Sequence, residues 1–442
     1  MPSHRSFISL FTLFILIPIH FSTSTHYLRL PLLPRSPPSS PAQLLAADIH
    51  RLSAHRTSLK SPLTSGAATG SGQYFADLRI GTPPQRLLLV ADTGSDLVWV
   101  KCSACKNCSN HRPGSAFLPR HSRTFSSHHC YDSSCRLVPR PSHTPPCNHT
   151  PIHTPCRYEY SYADGSITSG FFSKETTTFN TSYGRETKIK SLAFGCGFRI
   201  SGPSVSGSSF NGAQGVMGLG RGPISFTSQL GRKFGNRFSY CLLDYTISPP
   251  PKSYLTIGAY SNDVVSGKFS YTPLLTNSFS PTFYYIGIES VSVDGVKLPI
   301  SSSVWDIDDN GNGGTVVDSG TTLTFLPEPA YRQVLAAFRR RMRLPPAEGP
   351  ALGFDLCVNV SGVAKPRLPK LRFNLAGKVV LSPPPRNYFI EVVEWVMCLA
   401  VQPVKPGSGF SVIGNLMQQG YLFEFDMDRL RLGFSRHGCA VR

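Results

Sequence analysis

Leu87-Leu88-Leu89-Val90-Ala91-Asp92-Thr93-Gly94-Ser95 (LLLVADTGS) carries an apolar run directly into an aspartate, a hydroxyl residue, a glycine and a second hydroxyl residue. The same order returns as Thr315-Val316-Val317-Asp318-Ser319-Gly320-Thr321 (TVVDSGT). Each copy is followed, further along the chain, by two apolar residues and a glycine: Val216-Met217-Gly218 and Val412-Ile413-Gly414. Two copies in one order imply two lobes of one architecture. An aspartate at the end of an apolar strand is costly to bury alone. Glycine permits the tight turn that follows it, and the flanking hydroxyls can hydrogen-bond the carboxylate and fix its direction. Two such aspartates facing each other share one proton, because adjacent like charges resist double ionisation. One carboxylate can then take a proton from water while the other gives one. That chemistry calls for no metal, no cofactor and no covalent intermediate.

The rest of the composition agrees with a β-rich body. The chain has 442 residues and a mass of 48.3 kDa, and 40% of its residues are hydrophobic against 16% charged, enough for a large core and too apolar for disorder throughout. With 28 Phe and 17 Tyr beside 38 Gly and 38 Pro, long helices must be few and turns many. The expectation is an all-β, bilobal fold with a cleft between the lobes. Short β-rich runs begin at Gly72, with strands expected over Tyr74–Ile80 and 86–91. One helix is expected, from Glu328 to Met342, with proline in its first turn and arginines at its end. The net charge is +19, but the basic residues read as scattered. The dense run Arg339-Arg340-Arg341 fits a solvated helix face, so no nucleic-acid partner is expected, and adhesion to acidic polysaccharide is the weaker alternative.

The N-terminus and the cysteines set the expected compartment. Residues 1–25 read as a signal peptide, with His4 and Arg5 before a broken apolar stretch over 7–21, too short to span a bilayer easily. Residues 26–70 are rich in Pro, Ser, Leu and Arg, look separate from the body, and read as a prosegment with an amphipathic helix over 43–60. The lobes are then 71–258 and 259–442, joined by Ser248–Lys252 and the turn-rich stretch that follows to Gly267, with a cysteine-, histidine- and proline-rich insert at about 101–157. Twelve cysteines behind a signal peptide imply six disulfides rather than a zinc site. Asn107, Asn148, Asn180 and Asn359 stand in glycosylation sequons. A secreted glycoprotein is expected, in the extracellular space or cell wall or in the vacuole, without a membrane anchor once the signal is removed.

Taken together, these motifs resemble the pepsin-type aspartic proteases, in the plant nepenthesin-like branch, from about Gly72 to Arg442. Gly72-Gln73-Tyr74-Phe75, Ile80-Gly81-Thr82-Pro83-Pro84-Gln85, Trp99 seven residues past Asp92, Phe194-Gly195-Cys196-Gly197, Phe238-Ser239-Tyr240-Cys241 and the insert after Trp99 all fit that branch. Tyr162-Ala163-Asp164-Gly165-Ser166 is similar to the family's flap hairpin, with Ala163 where the family carries glycine. The resemblance implies that Asp92 and Asp318 are the catalytic pair. It implies that Thr93 and Ser319 brace the two loops across each other, with Gly94 and Gly320 at their turns, and that Ser95 and Thr321 bond the outer carboxylate oxygens. Tyr162 would close over substrate near Trp99. The implied disulfides are Cys102–Cys105, Cys108–Cys196, Cys130–Cys156, Cys135–Cys147, Cys241–Cys439 and Cys357–Cys398. The implied activity is a monomeric secreted endopeptidase acting on protein or peptide, made as a zymogen and needing no cofactor. The alternative is a catalytically silent member of the fold, acting as an inhibitor or carbohydrate-binding protein. Asp306-Ile307-Asp308-Asp309-Asn310-Gly311 matches half of a calcium loop, but Val317 stands where the closing Glu belongs, so a polar turn is expected and no metal.

Overall fold

Tyr74–Ile80 and Gln85–Asp92 form an antiparallel pair in the computed structural model, with Phe75 opposite Val90 and Ile80 opposite Gln85. The structure describes residues 28–34, 73–106, 116–141, 147, 154–162, 165–180, 186–202, 205, 213–244, 253–258, 269–347, 353–404, 409–436 and 439. The first-lobe strands are β1 (Leu28–Pro34), β2 (Tyr74–Ile80), β3 (Gln85–Asp92), β4 (Trp99–Lys106), β5 (Arg157–Ser161), β6 (Ile167–Asn180), β7 (Glu186–Ser201), β8 (Gly215–Gly218), β9 (Arg237–Cys241) and β10 (Ser253–Ile257), with helix α1 (Phe226–Phe234) between β8 and β9. In the second lobe come β11 (Ser270–Leu275), β12 (Tyr285–Ile286), β13 (Thr315–Val317), β14 (Thr324–Pro327), helix α2 (Glu328–Arg341), β15 (Val401–Val404), β16 (Ser411–Ile413), β17 (Leu422–Asp426) and β18 (Arg431–Ser435). The protein is all-β, with helices few and short.

The sequence repeat is a structural repeat. β3 lies parallel to β8 with Asp92 opposite Gly218, and β13 lies parallel to β16 with Val317 opposite Ile413. The strand after each aspartate closes the unit in the same way. β4 is parallel to β7 and antiparallel to β8, and β14 is parallel to β15 and antiparallel to β16. Strands paired within a sheet and covered on both faces read as continuous apolar runs; Leu89, Val90, Val316 and Val317 are accordingly buried. Strands of the two lobes also share a sheet: β9 pairs with β17, β17 with β18, and β18 with β11. Across the β9–β17 pair, the rings of Phe238 and Phe425 stack at 4.4 Å.

Helix α2 ends one residue short of its expected limit. It buries Tyr331, Val334, Leu335 and Phe338 and leaves Arg339 and Arg340 in solvent, as expected of that arginine run. Helix α1 is not among the expected elements; Ser225 caps it by accepting the Ser228 N–H at 3.2 Å, and Gly235 ends it in the left-handed region at φ 75°.

Three expectations are corrected. Residues 28–34, read as part of a segment separate from the body, form β1, which pairs with β10 over Leu28–Leu32 and with β2 over Leu32–Pro34. Residues 253–257, read as part of a turn-rich joint, are strand β10. The rest of the signal and prosegment readings, the joint at 248–252, and Asn107 and Asn148 lie outside the described residues; the Asn180 backbone ends β6, and Asn359 is exposed.

The third correction concerns the disulfides. Cys102 bonds Cys196, not Cys105, so Cys196 is also not free for Cys108. Cys102 and Cys105 lie on one extended strand, where residues three apart are about 10 Å apart, beyond disulfide reach. β4 instead lies parallel beside β7 as far as Lys101, where its register breaks, and Cys102 comes to 5.5 Å from Cys196 between Cα atoms. Cys130 bonds Cys147 and Cys135 bonds Cys156, replacing Cys130–Cys156 and Cys135–Cys147. The reason is a bridge pairing His129 with Pro155, which leaves Cys130 diagonal to Cys156, a separation of about 7–8 Å. Cys241–Cys439 and Cys357–Cys398 are as expected. The side chains of Cys105 and Cys108 lie outside the described residues.

Candidate active site

β3 and β13 deliver their aspartates to one place. In each loop the glycine N–H turns back onto the carboxylate: Gly94 N–H donates to Asp92 Oδ1 at 3.0 Å, and Gly320 N–H to Asp318 Oδ1 at 2.9 Å. The second hydroxyl of each loop donates to the other oxygen, Ser95 to Asp92 Oδ2 at 2.6 Å and Thr321 to Asp318 Oδ2 at 2.5 Å. The first hydroxyls cross between lobes. Thr93 N–H donates to the Ser319 hydroxyl at 3.1 Å, and Ser319 N–H to the Thr93 hydroxyl at 2.8 Å. The Thr93 hydroxyl donates in turn to Val317 O (3.3 Å) and the Ser319 hydroxyl to Ala91 O (2.9 Å), the carbonyls just before each aspartate. The brace is therefore two-fold symmetric in its bonds, and every polar group in it has a partner.

The glycines are needed for the approach of the carboxylates. A Cβ on Gly320 would stand 2.2 Å from Asp92 Oδ1 and 3.3 Å from Asp318 Oδ1, and one on Gly94 would stand 3.0 Å from Asp318 Oδ1. Any side chain there would wedge the two acids apart. Both are buried, Asp92 at 0% and Asp318 at 4% exposure. The arrangement offers two carboxylates in mutual reach, each with one oxygen held by a hydroxyl and the other by a backbone amide.

Supporting residues that the sequence did not single out lie behind the second loop. Gln418 is fully buried and donates to Asp318 O (3.1 Å) and Ile413 O (2.8 Å), while accepting from the Tyr240 hydroxyl at 2.5 Å. Burial, and then the charge of Asp318, push the Tyr240 phenol well above its ordinary range, so it stays a donor. Asn415 donates to Ser319 O at 3.0 Å. The only signal for these residues in the sequence was their place just after Val412-Ile413-Gly414.

In the first lobe the equivalent support is acidic. Asp96 is buried and accepts from Gly222 N–H at 2.8 Å and from the Thr282 hydroxyl, in the second half of the chain, at 2.6 Å. Burial raises its carboxyl above the usual range, against the lowering effect of those two bonds.

The flap strand carries three inward tyrosines at the two-residue spacing of a β-strand. Tyr158 bonds the Thr168 hydroxyl at 3.1 Å, Tyr160 accepts from Asp96 N–H at 3.3 Å, and Tyr162 accepts from Trp99 Nε1–H at 2.6 Å. Tyr162 and Trp99, brought together as expected, are 2% and 0% exposed. The rings of Tyr160 and Tyr162 meet edge to face at 5.4 Å. A Cβ on Gly195 would lie 2.6 Å from the Tyr158 ring, which accounts for that glycine in Phe194-Gly195-Cys196-Gly197. Ala163 and Asp164 lie outside the described residues. The polar turn before the second loop is closed by its own residues: Asp308 accepts from Asn310 N–H at 2.9 Å and from Asn312 N–H at 2.8 Å.

Comparison with known proteins places this architecture. Residues 74–259 match a family model described as xylanase inhibitor N-terminal, and residues 283–436 one described as xylanase inhibitor C-terminal. Aspartyl protease family protein 2 of Arabidopsis thaliana is 38% identical over 86% of this chain and 74% of its own length. Aspartic proteinase nepenthesin-1 of Nepenthes gracilis is 36% identical over 90% of this chain and 87% of its own. Among solved structures, that titled edgp superposes with a TM-score of 0.69 at 21% identity, covering 94% of this chain and 97% of that one, which speaks to the fold. With the repeated aspartate loops, the braced carboxylate pair and these relatives in agreement, the chain belongs to the pepsin-type aspartic proteases, in the nepenthesin-like branch.

Proposed function

We propose that the protein is a secreted acid endopeptidase in which Asp92 and Asp318 activate water against a peptide carbonyl. The observation that carries this reading is the braced, mutually approaching carboxylate pair, with both loops intact. One carboxylate, ionised, takes a proton from water as it attacks the carbonyl carbon. The other, protonated, gives its proton to the carbonyl oxygen. The tetrahedral intermediate collapses as the nitrogen is protonated and the C–N bond breaks. Ser95 and Thr321 hold the outer oxygens, so the proton shared between the acids is free to move on the inner side. Tyr162, docked on Trp99, covers the substrate. No cofactor enters. Thr93 and Ser319 fix the separation of the acids and act by positioning.

The family models carry a description of inhibitors, a binding role. The intact pair favours catalysis, since a purely binding member has no need of two buried acids facing each other. Incubating the purified protein with a denatured protein substrate at acid pH, with and without pepstatin, tests the reading. Cleavage that pepstatin blocks, and that Asp92→Asn removes, supports it. No cleavage by a folded, processed protein supports the silent alternative.

The zymogen reading belongs to the same proposal. Residues up to about Gly70 keep the enzyme inactive until acidification, when protonation of carboxylates weakens their hold on the basic stretch beyond β1, and β1 itself stays in its sheet. Expression from His26 onward should give a product inactive at neutral pH, which shortens and becomes active in acid.

A further inference from the structure

The net charge is less evenly spread than the whole-chain composition implies. Residues 101–157 hold eight Lys or Arg against a single acid, Asp132. The described arginines of this insert (Arg120, Arg123, Arg136, Arg140 and Arg157) are all exposed. Its one acid is already engaged, by His128 Nδ1 at 3.1 Å. The insert is fastened to the lobe rather than trailing from it: buried Glu175 of β6 accepts from the hydroxyls of Ser122 and Thr124, and, among the described residues, Cys102–Cys196, Cys130–Cys147 and Cys135–Cys156 staple it.

Where the insert meets the outer face of β5, β6 and β7, a groove of about 690 Å³ opens, a size suited to a small ligand or a few rings of a longer one. Phe171 and Phe198 form its half-buried floor, with ring centroids 5.2 Å apart. Arg157 on β5 and Arg199 on β7 flank it from the outer strands, and Pro141 and the acid Glu159, two residues along β5 from Arg157, also line it. Two strand steps separate the guanidinium-bearing strands, about 10 Å. Exposed Arg86 and Arg332 each have a carboxylate partner, Asp77 and Glu328. Among the described residues, Arg157 and Arg199 have none within ion-pair distance. The groove shares no residue with the aspartate loops.

We propose that this groove binds an acidic polysaccharide, pyranose rings bearing carboxylates, and that the insert supplies the attracting field. Guanidinium pairs well with carboxylate through its planar fork, and the apolar edges of sugar rings fit a floor of phenyl edges. A nucleic-acid strand fits less well. Arg157 already lies over the Phe171 ring at 5.8 Å and Phe198 abuts it at 68°, so Phe171 is engaged by both neighbours rather than standing alone as a platform for a base. Binding at this groove is independent of proteolysis.

The test measures binding of the full-length protein at neutral pH to polygalacturonate, with dextran and single-stranded DNA as comparators. Polygalacturonate should be bound, dextran not, and binding should weaken as salt rises. Arg157→Gln with Arg199→Gln should weaken it about tenfold or more. Arg339→Gln with Arg340→Gln, the same charge change on α2, should leave it within about twofold. Melting temperature verifies that both variants fold; should the first not fold, Arg199→Lys, which keeps charge but loses the fork, should still weaken binding. No binding to polygalacturonate, equal weakening by both double variants, or DNA binding of equal strength lost with the same arginines would each overturn the proposal.

Discussion

Four residues past its aspartate the first lobe has Asp96, and the second has Thr322. Up to that point the two loops match bond for bond. Beyond it they part. In the first lobe β4 runs into the disulfide-bonded insert and docks the flap through Trp99. In the second, β14 runs directly into helix α2, which packs down on the lobe. The difference shows which part of the repeat the chemistry constrains. Two carboxylates in mutual reach require the same amides, hydroxyls and glycines on both sides, because each loop serves as the other's wall. The chain beyond each loop only has to fill space or cover substrate, and one cover suffices for one cleft.

The largest effect should come from the part that matches. Asp92→Asn and Asp318→Asn should each lower kcat/KM by about 10³-fold or more while the melting temperature stays close to the parent's. Unequal losses would break the symmetry of the pair. Next come the disulfides, one in each lobe. Cys102–Cys196 closes 94 residues and Cys357–Cys398 closes 41. Replacing both partners by Ser or Ala should destabilise by about 3–5 kcal/mol for the first and somewhat less for the second. Peptide mapping without reduction should recover Cys102 linked to Cys196; a Cys102–Cys105 peptide would restore the pairing expected from family resemblance.

Smaller effects probe the parts that differ. Tyr162→Phe, which removes the hydroxyl that accepts from Trp99 Nε1–H, should lower kcat/KM by about tenfold, chiefly through KM if the flap's role is to hold substrate. Tyr160→Phe should cost less, and a double variant worth less than the two losses summed would show that the tyrosines act as one clamp. The smallest effect belongs to Asp96. Its folded carboxyl is raised by burial, so the folded state holds the proton more tightly than the unfolded chain does. That contribution is fully present below the ordinary carboxylate range and is lost as pH rises through the folded value. Denaturant titrations from about pH 4 to pH 7 should therefore find that stability falls less steeply in Asp96→Asn than in the parent, the slopes differing by at most about 1.4 kcal/mol per pH unit. An unchanged slope would mean that Asp96 does not titrate there.

The lobes and the aspartates were legible in the sequence because their signals are local: an apolar run, a carboxylate, a glycine, twice. Strand β2 matched its expected limits for the same reason. Cysteine pairing was not legible, since Cys102–Cys196 depends on a parallel register set by residues 94 apart. Asp96, Tyr160 and Gln418 escaped notice because each is defined by what it reaches across the fold. Asp96 is an ordinary surface residue by composition, and only the Thr282 hydroxyl and Gly222 amide make it a buried one. Helix α1 is short and stands between strands, and its cap at Ser225 and stop at Gly235 were overlooked signals.

Strand β1 has a practical consequence for anyone producing this protein. It lies between β10 and β2 and is held by main-chain bonds, which do not titrate, so acid by itself gives it no reason to leave. A gene beginning at residue 73 would therefore yield a chain with two strand edges facing an empty slot, the kind of edge that recruits neighbouring molecules. Such a preparation should aggregate on refolding. A synthetic peptide spanning Leu28–Pro34, added during refolding, should restore soluble monomer.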